Sequence, residues 1–183
     1  WFKEDWEIDP ATDVGRAAAH RLSTAMDPMT AALLLYAVGD PAVLEDYLES
    51  SFAADGFGEP GLSELTKEII GVRLAADHLD TDALARHLAS CGFSTLLKDV
   101  DRAAATSGAP FIREDVSVAT ARSQWSVAFT ALARLGALDD AIGSAKGNLR
   151  DRRDMEAFER LKAERDALRR AIRTGTIWGE AGS

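Results

Sequence analysis

The sequence predicts an all-α chain, a bundle of short helices followed by a long C-terminal helical hairpin. Three observations predict it. Alanine and leucine dominate while strand-favouring residues are scarce, with only 2 tyrosines in 183 residues. In the last third, apolar residues recur at three- and four-residue steps on both sides of a polar break. Upstream, Asp-Pro and glycine punctuation divides the chain into segments of roughly 10–16 residues, the length of ordinary globular helices.

Residues 1–27 read as a linker and a leading helix. Trp1–Asp9 mixes aromatics with acids, and a helix is expected from Pro10 or Ala11 to Ala25 with Asp9 as its cap. Asp27-Pro28 and Asp40-Pro41 each place a capping carboxylate before a proline at the first helical position, where its missing N–H costs nothing. Helices are therefore expected over 28–38, closed by Gly39, and over 41–54, closed near Gly56. Gly56–Gly61 reads as a loop. From Leu62 to Asp77, Leu62, Leu65, Ile69, Val72 and Ala76 share one helical face. Thr81 is the expected cap of Asp82–Cys91, with Gly92 beyond its end, where left-handed backbone is favoured. Ser94 should cap a helix to about Thr106, turning Leu96, Leu97 and Val100 inward. A loop, Ser107 to Pro110, closes the bundle assigned to residues 28–114.

Residues 115–183 form the expected hairpin. Its first arm runs from Ser117 to about Arg150, with Val118, Ala121, Trp125, Phe129, Leu132, Leu135, Leu138, Ile142, Ala145 and Leu149 in one stripe. Asp151-Arg152-Arg153-Asp154 breaks it. A second arm then runs to about Thr174 on Phe158, Leu161, Leu168 and Ile172, interrupted by Arg165. Helices joined by so short a link fold back antiparallel. Trp125 is the expected structural anchor, fixing where the long arm leaves the bundle. Gly136, Gly143 and Gly147 lie on one stripe of that arm; they either let the second arm approach closely or mark bending points.

Composition narrows the function. A hydrophobic fraction of 46% with 28% charged residues supports a real core. The longest apolar run, Ala31 to Val38, is far short of the roughly 18 residues that span a bilayer. The single cysteine, Cys91, excludes an internal disulfide and fits a reducing cytosol, so a cytoplasmic location is expected. Trp1 in place of an initiating methionine suggests a fragment or processed chain. The net charge is −9. It divides unevenly, because 115–174 carries 12 basic and 9 acidic residues whereas 1–114 carries 9 and 20. An acidic front part repels a phosphate backbone, so direct nucleic-acid binding is not expected.

Catalytic signatures are missing. No Gly-x-Ser-x-Gly elbow occurs, and Gly56-Phe57-Gly58 lacks the strand and the Lys-Ser/Thr of a phosphate cradle. The Glu45/Asp46/Glu49 cluster reads as solvated charge. His87 and Cys91 lie one helical turn apart, but two ligands are not a metal site, and the sequence offers no second His/Cys pair. No catalytic residue, metal or cofactor is expected.

Several stretches are similar to those of a known family: Met29-Thr30-Ala31-Ala32-Leu33-Leu34-Leu35 before Gly39-Asp40-Pro41, then Leu84 to Leu97, then Gln124-Trp125 through Phe158-Glu159-Arg160-Leu161-Lys162. In this order they resemble the C-terminal helicase-binding domain of bacterial DNA primase, across about Pro28 to Gly175. The three glycines of the long arm and the acidic aromatic leader depart from that pattern. The resemblance implies a non-catalytic domain that docks the primer-synthesising enzyme, a nucleotidyltransferase, on the hexameric replicative helicase within the primosome. The terminal hairpin would supply much of the contact. Phe158, Leu161, Arg165, Leu168, Arg169, Ile172 and Trp178 are the candidate partner-binding residues, and Trp178, past the last helix, is a candidate exposed anchor. The alternative is a helical scaffold that self-associates through the same hairpin.

Overall fold

The computed structural model describes residues 26–75 and 81–179. The expected leader helix and linker fall outside them. Among the described residues the chain is all-α, with seven α-helices linked by 3-10 turns and a long helical pair at its C-terminal end.

Helix α1, Pro28–Gly39, begins as its Asp-Pro signal requires: the Asp27 carboxylate accepts from the Thr30 N–H at 2.8 Å. Its sequence is apolar nearly all round, which suits a helix enclosed by others. Ala31, Ala32, Leu33, Leu34 and Ala37 are fully buried. Around it pack α4 (Thr81–Ser90), α5 (Ser94–Ala104) and α6 (Val118–Lys146), with α3 (Ser63–Ala75) beside α4.

The expected helix over 41–54 is two pieces. A 3-10 segment covers Pro41–Tyr47, the chain turns, and Ser50 recaps a single turn, α2, Ser51–Ala54. Asp40 does not cap it. Its carboxylate is held by the Arg122 guanidinium of α6 at 2.7 and 2.9 Å. The break lets Tyr47 turn inward, its ring 4.2 Å from that of Phe129 and its hydroxyl 2.6 Å from Ser126 Oγ.

Two other expected caps are also inside their helices. Thr81 is the first residue of α4 and donates its hydroxyl to the Gly39 carbonyl at 3.0 Å. Ser94 is the first residue of α5, preceded by Phe93. The inward face of α5 carries buried Val100 and Ala104, with Leu96 and Leu97 half-buried. Gly92 has φ +89, as its place after α4 demands.

The link from α2 to α3 is a left-handed run, Gly56 at φ +79, Phe57 at +55 and Gly58 at +87. Left-handed backbone is costly for a residue with a side chain. Phe57 offsets it by burial: it is 3% exposed and meets Phe52, Trp125 and Phe129 edge-on.

Candidate docking surface

Helices α6 and α7 (Arg152–Thr174) pair as the hairpin. Ser117 caps α6 by accepting from the Thr120 N–H. The arm stops at Lys146, not Arg150, because Gly147 takes the C-terminal cap. At the far side Asp151 accepts from the Asp154 N–H at 2.9 Å, and Asp154 in turn accepts from the Arg150 N–H at 3.0 Å. Reciprocal capping of this kind starts α7 with no tertiary support. Gly175 in left-handed conformation, φ +73, ends it.

Burial falls sharply along the pair. Ala121, Trp125, Ala128, Phe129 and Leu132 of α6 belong to the core. Leu138 is the last buried residue, and from Asp139 to Gly179 none is buried. Trp125 anchors the root: it is 1% exposed, stacks on Phe129 and donates its indole N–H to the Leu33 carbonyl at 2.9 Å.

The candidate contact residues of the second arm do not stand free in solvent. Phe158, Leu161, Arg165, Leu168 and Ile172 recur at three- and four-residue steps, share one face of α7 and are half-buried. Ile172 reaches the core cluster. Arg165 lies between Asp166, at 2.7 Å, and Asp139 of α6, at 3.7 Å. Hydrogen bonding to Asp166 raises its pKa, with Asp139 adding to the effect. Arg169 is exposed and pairs with Asp139 at 2.9 Å. Arg134 and Glu164 make a further cross-arm pair at 2.6 Å. Trp178 is not exposed either. It folds back on the root of the hairpin, where its indole N–H donates to the Gln124 carbonyl at 3.3 Å.

What α7 offers to solvent is its opposite face. Arg153, Arg160 and Arg170 point outward there, and among the described residues no ion pair engages them. At the tip, Leu149 and Met155 are exposed apolar side chains. Met155, three residues before Phe158, continues the apolar steps of that arm but lies in its first turn and stays exposed; an apolar residue beside a four-residue polar break was the visible signal.

The glycines of α6 do not admit the second arm. A Cβ on Gly143 would meet nothing within 4 Å, and one on Gly136 would meet only Phe52 of the bundle, at 3.9 Å. The helix runs through both without interruption.

A cleft of about 700 Å³ opens between bundle and hairpin, bounded by Asp27, Phe57, Leu132, Asp139, Ile172 and Arg173. Two of its three carboxylates are committed, Asp27 to the α1 cap and Asp139 to the arginines of α7, and Glu59 is the third. Among the described residues no helix is long and apolar enough to cross a membrane. No protein-family model matches the chain, and no curated protein or solved structure matches it.

Proposed function

We propose that this chain is a non-catalytic docking domain that presents its terminal hairpin to a partner protein. The observation that carries the reading is the run from Asp139 to Gly179 without a buried residue. Beyond Leu138 the two arms add no buried residue to the chain's own core, whereas an arm rooted by Trp125 can reach a second surface. The outward arginines Arg153, Arg160 and Arg170 favour an acidic complement.

The order of apolar stretches from Pro28 to Gly175 resembles the helicase-binding domain of bacterial DNA primase, so the partner we propose is the hexameric replicative helicase. In this reading the contact moves from the half-buried stripe to the outward face of α7 and the hairpin tip. Leu149 and Met155 insert, and the arginines steer.

The test is a fluorescence-anisotropy titration of the labelled chain against that helicase hexamer. Saturable binding is expected, with at least tenfold loss in the charge-reversed variant Arg153→Glu/Arg160→Glu/Arg170→Glu, whose substitutions leave the packed face untouched. Undiminished binding by that variant places the contact elsewhere, and absence of binding at tens of micromolar helicase removes the partner. The exposed pair Leu149 and Met155 also suits a second copy of the chain. Sedimentation showing a dimer dispersed by Met155→Glu would favour this self-associating scaffold instead.

A further inference from the structure

We propose that Glu68, His87 and Cys91 form a three-ligand site for a zinc-class divalent cation where α3 meets α4. His87 and Cys91 leave the same face of α4 and its end, one turn apart, with Nε2 and Sγ separated by 3.5 Å. The sequence shows this pair but not its third member. The packing of α3 on α4 brings the Glu68 carboxylate over the same turn, Oε1 lying 2.5 Å from His87 Nε2 and 3.9 Å from Cys91 Sγ. All three donor atoms fall within 4.8 Å of one another.

These separations suit a shared metal. With zinc about 2.0–2.1 Å from nitrogen and oxygen and about 2.3 Å from sulfur, tetrahedral donors stand roughly 3.3–3.6 Å apart. The nitrogen–sulfur distance already meets this, and the sulfur–oxygen distance needs to shorten only slightly. The carboxylate and imidazole, now hydrogen-bonded, must move apart by roughly 0.8 Å to admit the ion, given those bond lengths. Side chains that are 42% and 38% exposed can do so by rotation alone.

The same geometry does not form a thiol–imidazole–carboxylate relay. A thiol–imidazole–carboxylate relay engages the two ring nitrogens separately, one for the thiol and one for the acid. Here thiol and carboxylate converge on the one nitrogen, Nε2. Convergence on a point is what a metal centre requires. An imidazole, a thiolate and a carboxylate together select zinc or cobalt over magnesium or calcium, which prefer six or more oxygens. On binding, the sulfur–metal bond forms as the thiol releases its proton to solvent, and a water completes the fourth position. The ion would then tie α3 to α4.

Cobalt(II), a spectroscopic stand-in for zinc, tests this on the full chain kept under reducing conditions. One equivalent should produce a thiolate-to-metal charge-transfer band that zinc then abolishes by displacement. Cys91→Ser should remove the band, while His87→Ala and Glu68→Gln should each weaken binding tenfold or more, with unchanged far-UV circular dichroism. Zinc should raise the melting temperature of the parent and not of the variants. A missing band at one equivalent, half-equivalent binding shared between two chains, or equal affinity in His87→Ala would overturn the site. The outcome is independent of the helicase titration, since none of these residues lies on the hairpin.

Discussion

The indole N–H of Trp125 in α6 donates to the backbone carbonyl of Leu33 in α1, a buried bond spanning 92 residues of sequence. It ties the long arm to the most enclosed helix of the bundle, while the same ring stacks on Phe129 at 5.2 Å. Position and orientation of the arm therefore share one side chain. Trp125→Phe keeps an aromatic ring but loses the hydrogen bond and part of the volume, so a cost of about 1–2 kcal/mol is expected. Trp125→Ala should cost about 3–5 kcal/mol. Urea denaturation of both variants checks the ranking; a Trp125→Phe cost near zero would mean the hydrogen bond contributes nothing, and equal costs would mean the retained phenyl ring contributes nothing.

Two glycine substitutions should move stability in opposite directions. Gly143→Ala adds a methyl in open space inside a continuous helix, and a gain of about 0.5–1 kcal/mol is expected. Gly56→Ala places a Cβ 2.3 Å from the Glu59 carbonyl oxygen in left-handed backbone, so it should be clearly destabilising. Thermal melts of the pair decide it. A destabilised Gly143→Ala would show that the arm needs to bend there.

Helix-start signals were legible where no tertiary partner competed for the capping side chain. Asp27 and Asp40 carry the same local message, yet Asp27 caps α1 while Asp40 is held by Arg122, 82 residues away. No local pattern encodes that pairing. Likewise the His87–Cys91 spacing was visible, whereas Glu68 joins it only because α3 packs on α4. The stripe Phe158–Leu161–Leu168–Ile172 was legible as a face, but periodicity shows only that residues share a side. It does not show whether that side meets α6 or a partner. The structure turns it half-buried, which transfers the docking proposal to the opposite face.

The Asp40 site predicts an alkaline effect. Burial raises the pKa of Tyr36 above its usual 10.0, and the nearby Asp40 carboxylate adds to this, with Arg122 opposing. A phenol whose folded pKa exceeds its unfolded value binds its proton more tightly when folded. Its contribution is thus present below pH 10 and lost as pH rises through the folded pKa. Stability should decline across that window, and less so in Tyr36→Phe. Denaturant midpoints at several alkaline pH values, with the ultraviolet titration of the phenol, test it; identical slopes would exclude Tyr36.

The attachment of α7 should be local and salt-sensitive. Asp139 bridges Arg165 and Arg169, Glu164 pairs with Arg134, and the apolar stripe between the arms is only half-buried. The screening length falls from about 10 Å at 0.1 M salt to about 3 Å at 1 M, the separation of these exposed pairs, so they weaken chiefly in molar salt. Asp139→Asn/Glu164→Gln should therefore speed amide hydrogen exchange several-fold across Arg152–Thr174 while leaving α1, whose residues are enclosed by the core, unchanged. In molar salt the parent should approach the variant. A uniform acceleration reaching α1 would mean the hairpin and the bundle open as one cooperative unit. A hairpin that opens with the bundle could not serve as an arm that adjusts to a partner while its root stays fixed.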